Sequence, residues 1–276
     1  LFELSYNLSN GHTFIPLPKL CAATAALLNL ETELIEEGIT RLTEQERLVV
    51  DAIAGLQACY LPEFYEAETY ITARLLQMAE KELPAPKNLD ALVSQIEAEQ
   101  GISYARLQRE AIRKAATQQL LIVTGGPGTG KTTVMSGILS LFDSMKVKTQ
   151  LAAPTGRAAK RLSEVTEREA STIHRLLEAQ FDEATGLMSF FHDEDEPLKI
   201  DAMIVDETSM VDLQLMLSLL RALTPNCRLI LVGDPDQLPS VGAGNVFSDL
   251  IRSGKIATVR LTEIFRQAQE SLIVMN

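Results

Sequence analysis

The chain has 276 residues, a hydrophobic content of 46% and a formal net charge of −12. This composition excludes an intrinsically disordered chain, and the length predicts about two domains. Acidic residues concentrate early, since residues 1–112 hold 8 Lys and Arg against 17 Asp and Glu, which makes that part a poor candidate for a broad nucleic-acid surface.

No apolar run reaches the roughly 18 residues needed to span a bilayer, so no membrane partner is expected. Cys21, Cys59 and Cys227 are odd in number and far apart, without metal-type spacing. Their pattern indicates a reduced, cytoplasmic protein without structural zinc. The chain begins at Leu1 rather than Met and ends at Asn276 within a helical pattern, which predicts a piece of a longer polypeptide.

The hydrophobic pattern changes period along the chain. Up to about residue 118, Leu, Ile and Ala recur at helical spacing, with helices expected at 20–30, 43–56, 63–82, 89–99 and 101–118. Short β-prone runs then alternate with helices, with strands expected at 120–124, 148–153, 202–206, 228–233 and 257–261. This alternation predicts an α/β fold, a parallel sheet with helices on both faces whose chemistry gathers beyond the carboxyl ends of the strands. The acidic stretch 181–197 predicts an exposed hairpin or loop.

The most informative motif is Gly-Gly-Pro-Gly-Thr-Gly-Lys-Thr-Thr at 125–133, which follows an apolar run and precedes a helical pattern. This strand–loop–helix context predicts a Walker A phosphate loop rather than a plain glycine turn. Backbone N–H groups would surround the phosphates, Lys131 would reach the β- and γ-phosphates, and Thr132 would ligate Mg²⁺. The pattern therefore predicts ATP and Mg²⁺ as cofactors, bound by Gly126, Pro127, Gly128, Thr129, Gly130, Lys131, Thr132 and Thr133.

Two further predicted strands end in polar residues. Ala-Met-Ile-Val-Asp-Glu has the form of a Walker B element, in which Asp206 holds Mg²⁺ and Glu207 orients or deprotonates the attacking water. Gln237 follows the run Leu-Ile-Leu-Val-Gly-Asp-Pro-Asp. Its amide both donates and accepts hydrogen bonds, which suits a sensor of ATP versus ADP, although a surface Gln in an ordinary Asp-Pro turn is equally open.

Two segments carry candidate DNA-binding residues. A predicted strand leads into the start of a helix at Pro154, Thr155, Gly156 and Arg157. These residues would bind a nucleic-acid phosphate, or their polar groups would simply be solvated. His174 would face DNA or sit as a satisfied core histidine, and the residues alone favour the core position slightly.

Two residues flank the core motifs. Arg266, beyond the last predicted strand, would stabilise charge at a γ-phosphate or form a surface salt bridge. Gln108, on the helix before the phosphate loop, would contact adenine or lie on a solvated face.

Taken in order, these motifs resemble those of the RecD family of superfamily 1 DNA helicases. Within that family, the resemblance is strongest to the alpha subunit of bacterial exodeoxyribonuclease V. The matching segments include Ala-Pro-Thr-Gly-Arg-Ala-Ala, Thr-Ile-His-Arg-Leu-Leu and Gly-Asp-Pro-Asp-Gln-Leu-Pro, and they span about residues 108–267. The resemblance implies a RecA-like lobe and ATP-driven 5′→3′ movement along single-stranded DNA. It implies catalytic roles for Lys131, Glu207, Gln237 and Arg266, adenine contact by Gln108, and DNA contact by 154–157 and His174.

The resemblance also implies an organisation and partners. Residues 1–100 would form a helical domain that docks on the beta and gamma subunits of exodeoxyribonuclease V, which repairs double-strand breaks by recombination. Residues 101–276 would form the first motor lobe, and without the second lobe ATP turnover would be weak or negligible. Two alternatives stay open: a stand-alone helicase of the same family, and an ATP-gated protein-interaction module.

Overall fold

The computed structural model describes residues 1–182 and 187–264. Its first sixty residues form a small α/β unit around an antiparallel sheet with strand order β1-β3-β2. The elements are α1 (Phe2–Leu8), β1 (Phe14–Pro16), α2 (Leu17–Leu28), α3 (Thr32–Glu44), β2 (Val49–Ile53) and β3 (Leu56–Tyr60). This N-terminal unit has a core of its own, made of Leu4, Ile15, Leu20, Cys21, Ile35, Ile39, Leu48 and Cys59.

The helix predicted at 43–56 is wrong. Helix α3 ends at Glu44, and β2 pairs with β3 across a two-residue turn. Ala54 and Gly55 in that turn have φ angles of 48° and 81°, which match the type I′ geometry that favours hairpins. The β-branched residues Val49, Val50 and Ile53 fit a strand better than a helix, and the sequence analysis overlooked that preference.

Three helices lead from this unit to the main sheet: α4 (Pro62–Ala79), α5 (Leu89–Gln100) and α6 (Arg106–Thr117). The apolar side of α4 joins the core on one face of the main sheet. Helices α5 and α6 join the core on the other face. The division predicted near residue 100 stays a prediction, and α4 and α5, which precede it, both pack with the sheet that follows it.

The main sheet has six parallel strands in the order β11-β4-β10-β9-β5-β6. The strands are β4 (Leu120–Gly125), β5 (Thr149–Ala153), β6 (Ala170–Thr172), β9 (Ala202–Val205), β10 (Arg228–Gly233) and β11 (Thr258–Leu261). Helices α7 (Lys131–Ser144), α8 (Gly156–Thr166), α9 (Ile173–Leu176), α10 (Leu213–Arg221) and α11 (Val246–Ser253) connect them. This architecture confirms the predicted fold, and β6 is a strand that the sequence analysis did not predict.

Strand register brings the functional loops together. Thr124 pairs with Gly233, and Val205 pairs with both Leu231 and Ala152, so these strands end at one edge of the sheet. Strands β4 and β9 are buried throughout, which explains their nearly continuous apolar sequences. The loops that follow the strands therefore lie side by side at the carboxyl edge.

The polar excursion predicted at 181–197 starts inside an antiparallel hairpin of β7 (Ala179–Asp182) and β8 (Leu187–Phe190). Its acidic continuation at 193–196 is partly exposed. None of the helices in the described ranges is both long and apolar enough to cross a membrane.

Candidate nucleotide-binding site

The loop between β4 and α7 has the backbone of an anion cradle. Gly128 and Gly130 adopt φ angles of 76° and 83°, which residues with side chains rarely adopt. A Cβ atom on Gly125 would lie 2.6 Å from Thr129 Oγ1 and 2.8 Å from the Leu261 carbonyl oxygen. The Thr129 hydroxyl also donates to the Gly126 carbonyl at 2.8 Å. Glycine is therefore required at these positions for the loop to curl tightly before α7.

Lys131 is the first residue of α7, and its side chain lies over the loop. Its ammonium donates to the carbonyl oxygens of Gly125 at 2.5 Å and Gly126 at 3.0 Å. Burial lowers the pKa of this ammonium, and the negative charges of Asp234, Glu207 and Asp206 oppose that shift. A lysine amid three carboxylates stays available as a cation for phosphate.

The two carboxylates of the Walker B element follow β9. The backbone N–H of Asp206 donates to the Ala152 carbonyl at 2.9 Å, which fixes the strand end against β5. Burial raises the pKa of the Asp206 carboxyl, and the charge of Glu207 adds to the shift while Lys131 opposes it. Glu207 itself has a φ of 52°, an unusual backbone conformation for a side chain of its size.

These loops enclose a cavity of about 440 Å³ at the carboxyl edge of the sheet. Its lining consists of Gly126, Pro127, Gly128, Thr129, Gly130, Lys131, Thr132, Thr133, Met135, Arg161, Leu162, Val165, Asp206, Glu207 and Gln237. The structure thus brings together the whole predicted phosphate loop, both Walker B carboxylates and the predicted sensor amide. A larger groove of about 850 Å³ lies between the N-terminal unit and α11, but none of the phosphate-loop residues lines it.

Gln237 reaches the cavity from the turn that follows β10. Asp234 begins this turn and is only 4% exposed. Its carboxylate accepts a hydrogen bond from the Asp236 N–H at 3.1 Å, and its carbonyl accepts one from the Gln237 N–H at 3.2 Å. The turn fixes the backbone of Gln237 while its side chain stays exposed at the cavity. Arg266 lies outside the described residues.

Comparison with known proteins identifies the family. A family model described as an AAA domain matches residues 108–243. The ATP-dependent RecD2 DNA helicase of Deinococcus radiodurans is 36% identical over 275 residues, which cover 96% of this chain and 37% of that protein. The RecBCD enzyme subunit RecD of Mycolicibacterium smegmatis is 42% identical over 167 residues, which cover 52% of this chain and 30% of that protein. The chain belongs to the RecD family of helicases.

This RecD-family chain spans little more than a third of the first of these relatives and less of the second. Among solved structures, the Pif1 helicase from Candida albicans superposes with a TM-score of 0.46 at 23% identity, over 63% of this chain and 43% of that one.

Gln108 is not among the residues that line the cavity. The side chain is 4% exposed, and its Oε1 accepts a hydrogen bond from the Ala105 N–H at 3.0 Å. The amide therefore fixes the start of α6. Gln108 is therefore buried, which excludes the solvated position that was the alternative to adenine contact.

The predicted DNA-binding residues lie at the ends of two paired strands. Ala153 pairs with Thr172, so the turn that starts at Pro154 and the helix that carries His174 begin at the same level of the sheet. The Thr155 hydroxyl accepts a hydrogen bond from the Ala158 N–H at 3.2 Å and caps α8. Gly156 and Arg157 are exposed, whereas Pro154 and Thr155 are half-buried.

His174 is half-buried, and its ring centroid lies 5.9 Å from that of Phe190 in the hairpin. The ring is partly exposed, so His174 is not a core histidine, and its contact with DNA stays a prediction. The contact with Phe190 places the β7–β8 hairpin beside the predicted DNA-binding surface.

Sequence reasoning missed two charged residues at the site. Arg161 lines the cavity from α8, and its charge lowers the pKa of both Lys131 and Asp206. Asp234 is the first of the charges that stabilise the Lys131 ammonium. Both lie inside segments with recognisable motifs. Helical periodicity groups Arg161 with Val165 on one face of α8, but it does not tell which way that face points.

Proposed function

We propose that this chain is the N-terminal domain and first motor lobe of an ATP-dependent translocase that moves 5′→3′ along single-stranded DNA. The observation that carries the proposal is the convergence of Lys131, Asp206, Glu207 and Gln237 on one cavity walled by a glycine-rich phosphate loop. Membership of the RecD family supports the same activity at a coarser level.

The loop geometry fits a magnesium nucleotide. Backbone N–H groups of the loop and of the first turn of α7 would present positive charge to phosphate, and Lys131 adds a full cation. Thr132 and Asp206 would hold Mg²⁺, whose role is to neutralise phosphate charge. The buried setting of the Asp206 carboxyl suits this role, because a bound dication restores its charged form.

The remaining residues divide the chemistry. Glu207 orients or deprotonates the attacking water, and Gln237 distinguishes ATP from ADP through its amide. Arg266 would stabilise the charge that develops on the transferred phosphoryl group. Gln108 would contact adenine after its bond to Ala105 opens, and this is the role with the least geometric support.

Residues 154–157 and His174 would contact single-stranded DNA at the level where β5 and β6 end. In this scheme residues 101–276 form the lobe that binds both ligands. Residues 1–100 form an acidic domain that docks on partner proteins, the beta and gamma subunits of exodeoxyribonuclease V in a double-strand-break repair complex.

One observation favours a second candidate, a stand-alone RecD-like helicase. The RecD2 relative aligns with 96% of the chain, whereas the RecBCD subunit aligns with 52%. The N-terminal unit is thus shared with a protein named as a helicase rather than as a subunit. Co-purification with exodeoxyribonuclease V subunits supports the complex, and a single-component active helicase supports the stand-alone form.

The deciding experiment measures ATP hydrolysis with and without single-stranded DNA, in protein that carries both motor lobes. A motor hydrolyses faster with DNA bound. A hydrolysis rate that does not respond to DNA contradicts the translocase and favours an ATP-gated protein-interaction module. The 276-residue chain alone should bind nucleotide but show weak turnover and no unwinding, because a second lobe completes the site.

A further inference from the structure

Helix α8 forms one wall of the cavity through Arg161, Leu162 and Val165, which lie on one helix face. Arg161 and Lys131 are the two cationic side chains among the described residues that line the cavity. Lys131 is half-buried and bonded to carbonyl oxygens of the loop, whereas Arg161 is exposed. The cavity is thus lined by one half-buried cation at the start of α7 and one exposed cation on α8.

The charge of Arg161 is not neutralised by a salt bridge, since its guanidinium forms no ion pair with any acidic side chain in the described parts of the chain. Its neighbour Lys160 points elsewhere, is 80% exposed and pairs with Glu164 at 3.9 Å. A guanidinium that faces a phosphate cradle and lacks a carboxylate partner is poised for an anionic ligand.

We propose that Arg161 binds the terminal phosphate of the nucleoside triphosphate held by the phosphate loop. This inference rests on the nucleotide-binding function proposed above. Arg161 lines the same cavity as Lys131 and Asp206, the residues expected beside the terminal phosphate and its metal ion, and its charge acts on both of them. Its planar fork suits a phosphate that offers several oxygens.

The position of Arg161 on α8 adds a consequence for DNA. The helix starts at the cap residue Thr155, in the turn proposed to contact DNA. Arg161 follows six residues later, which corresponds to about 9 Å of helix rise. Helix α8 thus carries both the turn proposed to contact DNA and the arginine proposed to contact the nucleotide.

The test is the equilibrium affinity of this chain for magnesium complexes of fluorescent ATP and ADP analogues. Arg161→Ala should weaken ATP binding about tenfold and ADP binding less than about threefold, because a charge-assisted phosphate contact is lost for ATP alone. Arg161→Lys should recover part of the ATP affinity. Lys160→Ala, the matched loss of one cation on the same helix, should leave both affinities within about twofold.

Thermal unfolding without nucleotide serves as the folding control, and an exposed arginine should alter it little. Equal weakening of ATP and ADP overturns the proposal, as does an Arg161→Ala variant that binds ATP like the unaltered chain. If the unaltered chain binds neither nucleotide, the proposed ATPase function itself fails. If it binds both and only the Arg161 comparison shows no difference, the ATPase function stands and the Arg161 contact is wrong.

Discussion

The N-terminal unit and the carboxyl edge of the parallel sheet are built on opposite principles. The unit encloses apolar side chains such as Leu48 and Cys59 and leaves its charges at the surface. The sheet edge places Lys131, Asp206 and Glu207 in the lining of one cavity, with the buried Asp234 acting on the Lys131 ammonium. Charge desolvation thus concentrates where ligands would bind. Substitutions should accordingly affect stability in the first region and ligand binding in the second.

The largest effect is expected at Lys131. Lys131→Ala should lower DNA-stimulated ATP hydrolysis about 10²–10³-fold in protein that carries both motor lobes, because it removes a charge directed at the transferred phosphate. The free energy of unfolding without nucleotide should change little, because the folded chain lowers the pKa of this ammonium and its removal therefore offsets the loss of its two hydrogen bonds to the loop. Chemical denaturation measures the second quantity. If the variant lost stability as well as activity, Lys131 would serve the fold as well as the site, which contradicts the proposed difference between the two regions.

The reverse pattern is expected at Leu48, which is 2% exposed in the core of the N-terminal unit. Leu48→Ala should lower the free energy of unfolding by about 3 kcal/mol through lost burial and an unfilled cavity. ATP affinity should stay unchanged, because the cavity lining lies entirely in residues 126–237. Denaturant unfolding and nucleotide titration of the same variant measure both. Loss of affinity would show that the N-terminal unit supports the site.

The contrast between these regions also explains what sequence could predict. The wound sheet was predictable because β4, β9 and β10 are buried apolar runs that end in polar motifs. The hairpin of β2 and β3 was missed because Val49–Ile53 is too short for its periodicity to separate a helix from a strand, and the helix prediction gave no weight to its β-branched residues or to the Ala54-Gly55 turn. The apolar sequence of a strand predicts it well where the strand is buried on both faces. In the small peripheral sheet, the geometry of the turn is the more informative feature.

The site was predictable to the extent that its motifs are contiguous. The phosphate loop and the Walker B carboxylates are short local patterns, and the parallel register brings them together. Arg161 was not predictable, because its role depends on which way α8 faces once it packs. Asp234 escaped notice for the same reason, since its burial beside Lys131 is a tertiary property.

A smaller effect should separate two neighbouring glycines of the phosphate loop. Gly125→Ala places a Cβ atom within 2.8 Å of backbone and side-chain oxygen atoms, so it should lower the free energy of unfolding by about 1–3 kcal/mol. Gly126→Ala is the matched control, because a Cβ atom there meets nothing within 4 Å. Its free energy of unfolding should change by less than about 0.5 kcal/mol. Equal losses would show that the loop tolerates a Cβ atom at neither position.

The smallest effect concerns pH and the Asp206 carboxyl. Its pKa is raised above the ordinary value of 3.8, mainly by burial, so the folded chain binds its proton more tightly than the unfolded chain does. Ionisation of Asp206 therefore lowers stability as pH rises from 3.8 through the raised pKa, and the loss persists at neutral pH. Asp206→Asn should raise the unfolding midpoint at pH 7 in magnesium-free buffer, and this gain should vanish below the ordinary pKa.

Magnesium reverses the sign of this comparison. The dication favours the ionised carboxylate, so magnesium nucleotide should stabilise the unaltered chain and fail to stabilise Asp206→Asn. Unfolding midpoints of the unaltered chain and of Asp206→Asn, with and without magnesium ATP at about pH 7, measure both the effect of the substitution and the stabilisation by magnesium nucleotide. If the Asp206→Asn substitution lowered the midpoint in magnesium-free buffer, the carboxylate would be a structural ion-pair partner of Lys131. A substitution at the sheet edge would then lower stability, as one in the core of the N-terminal unit does.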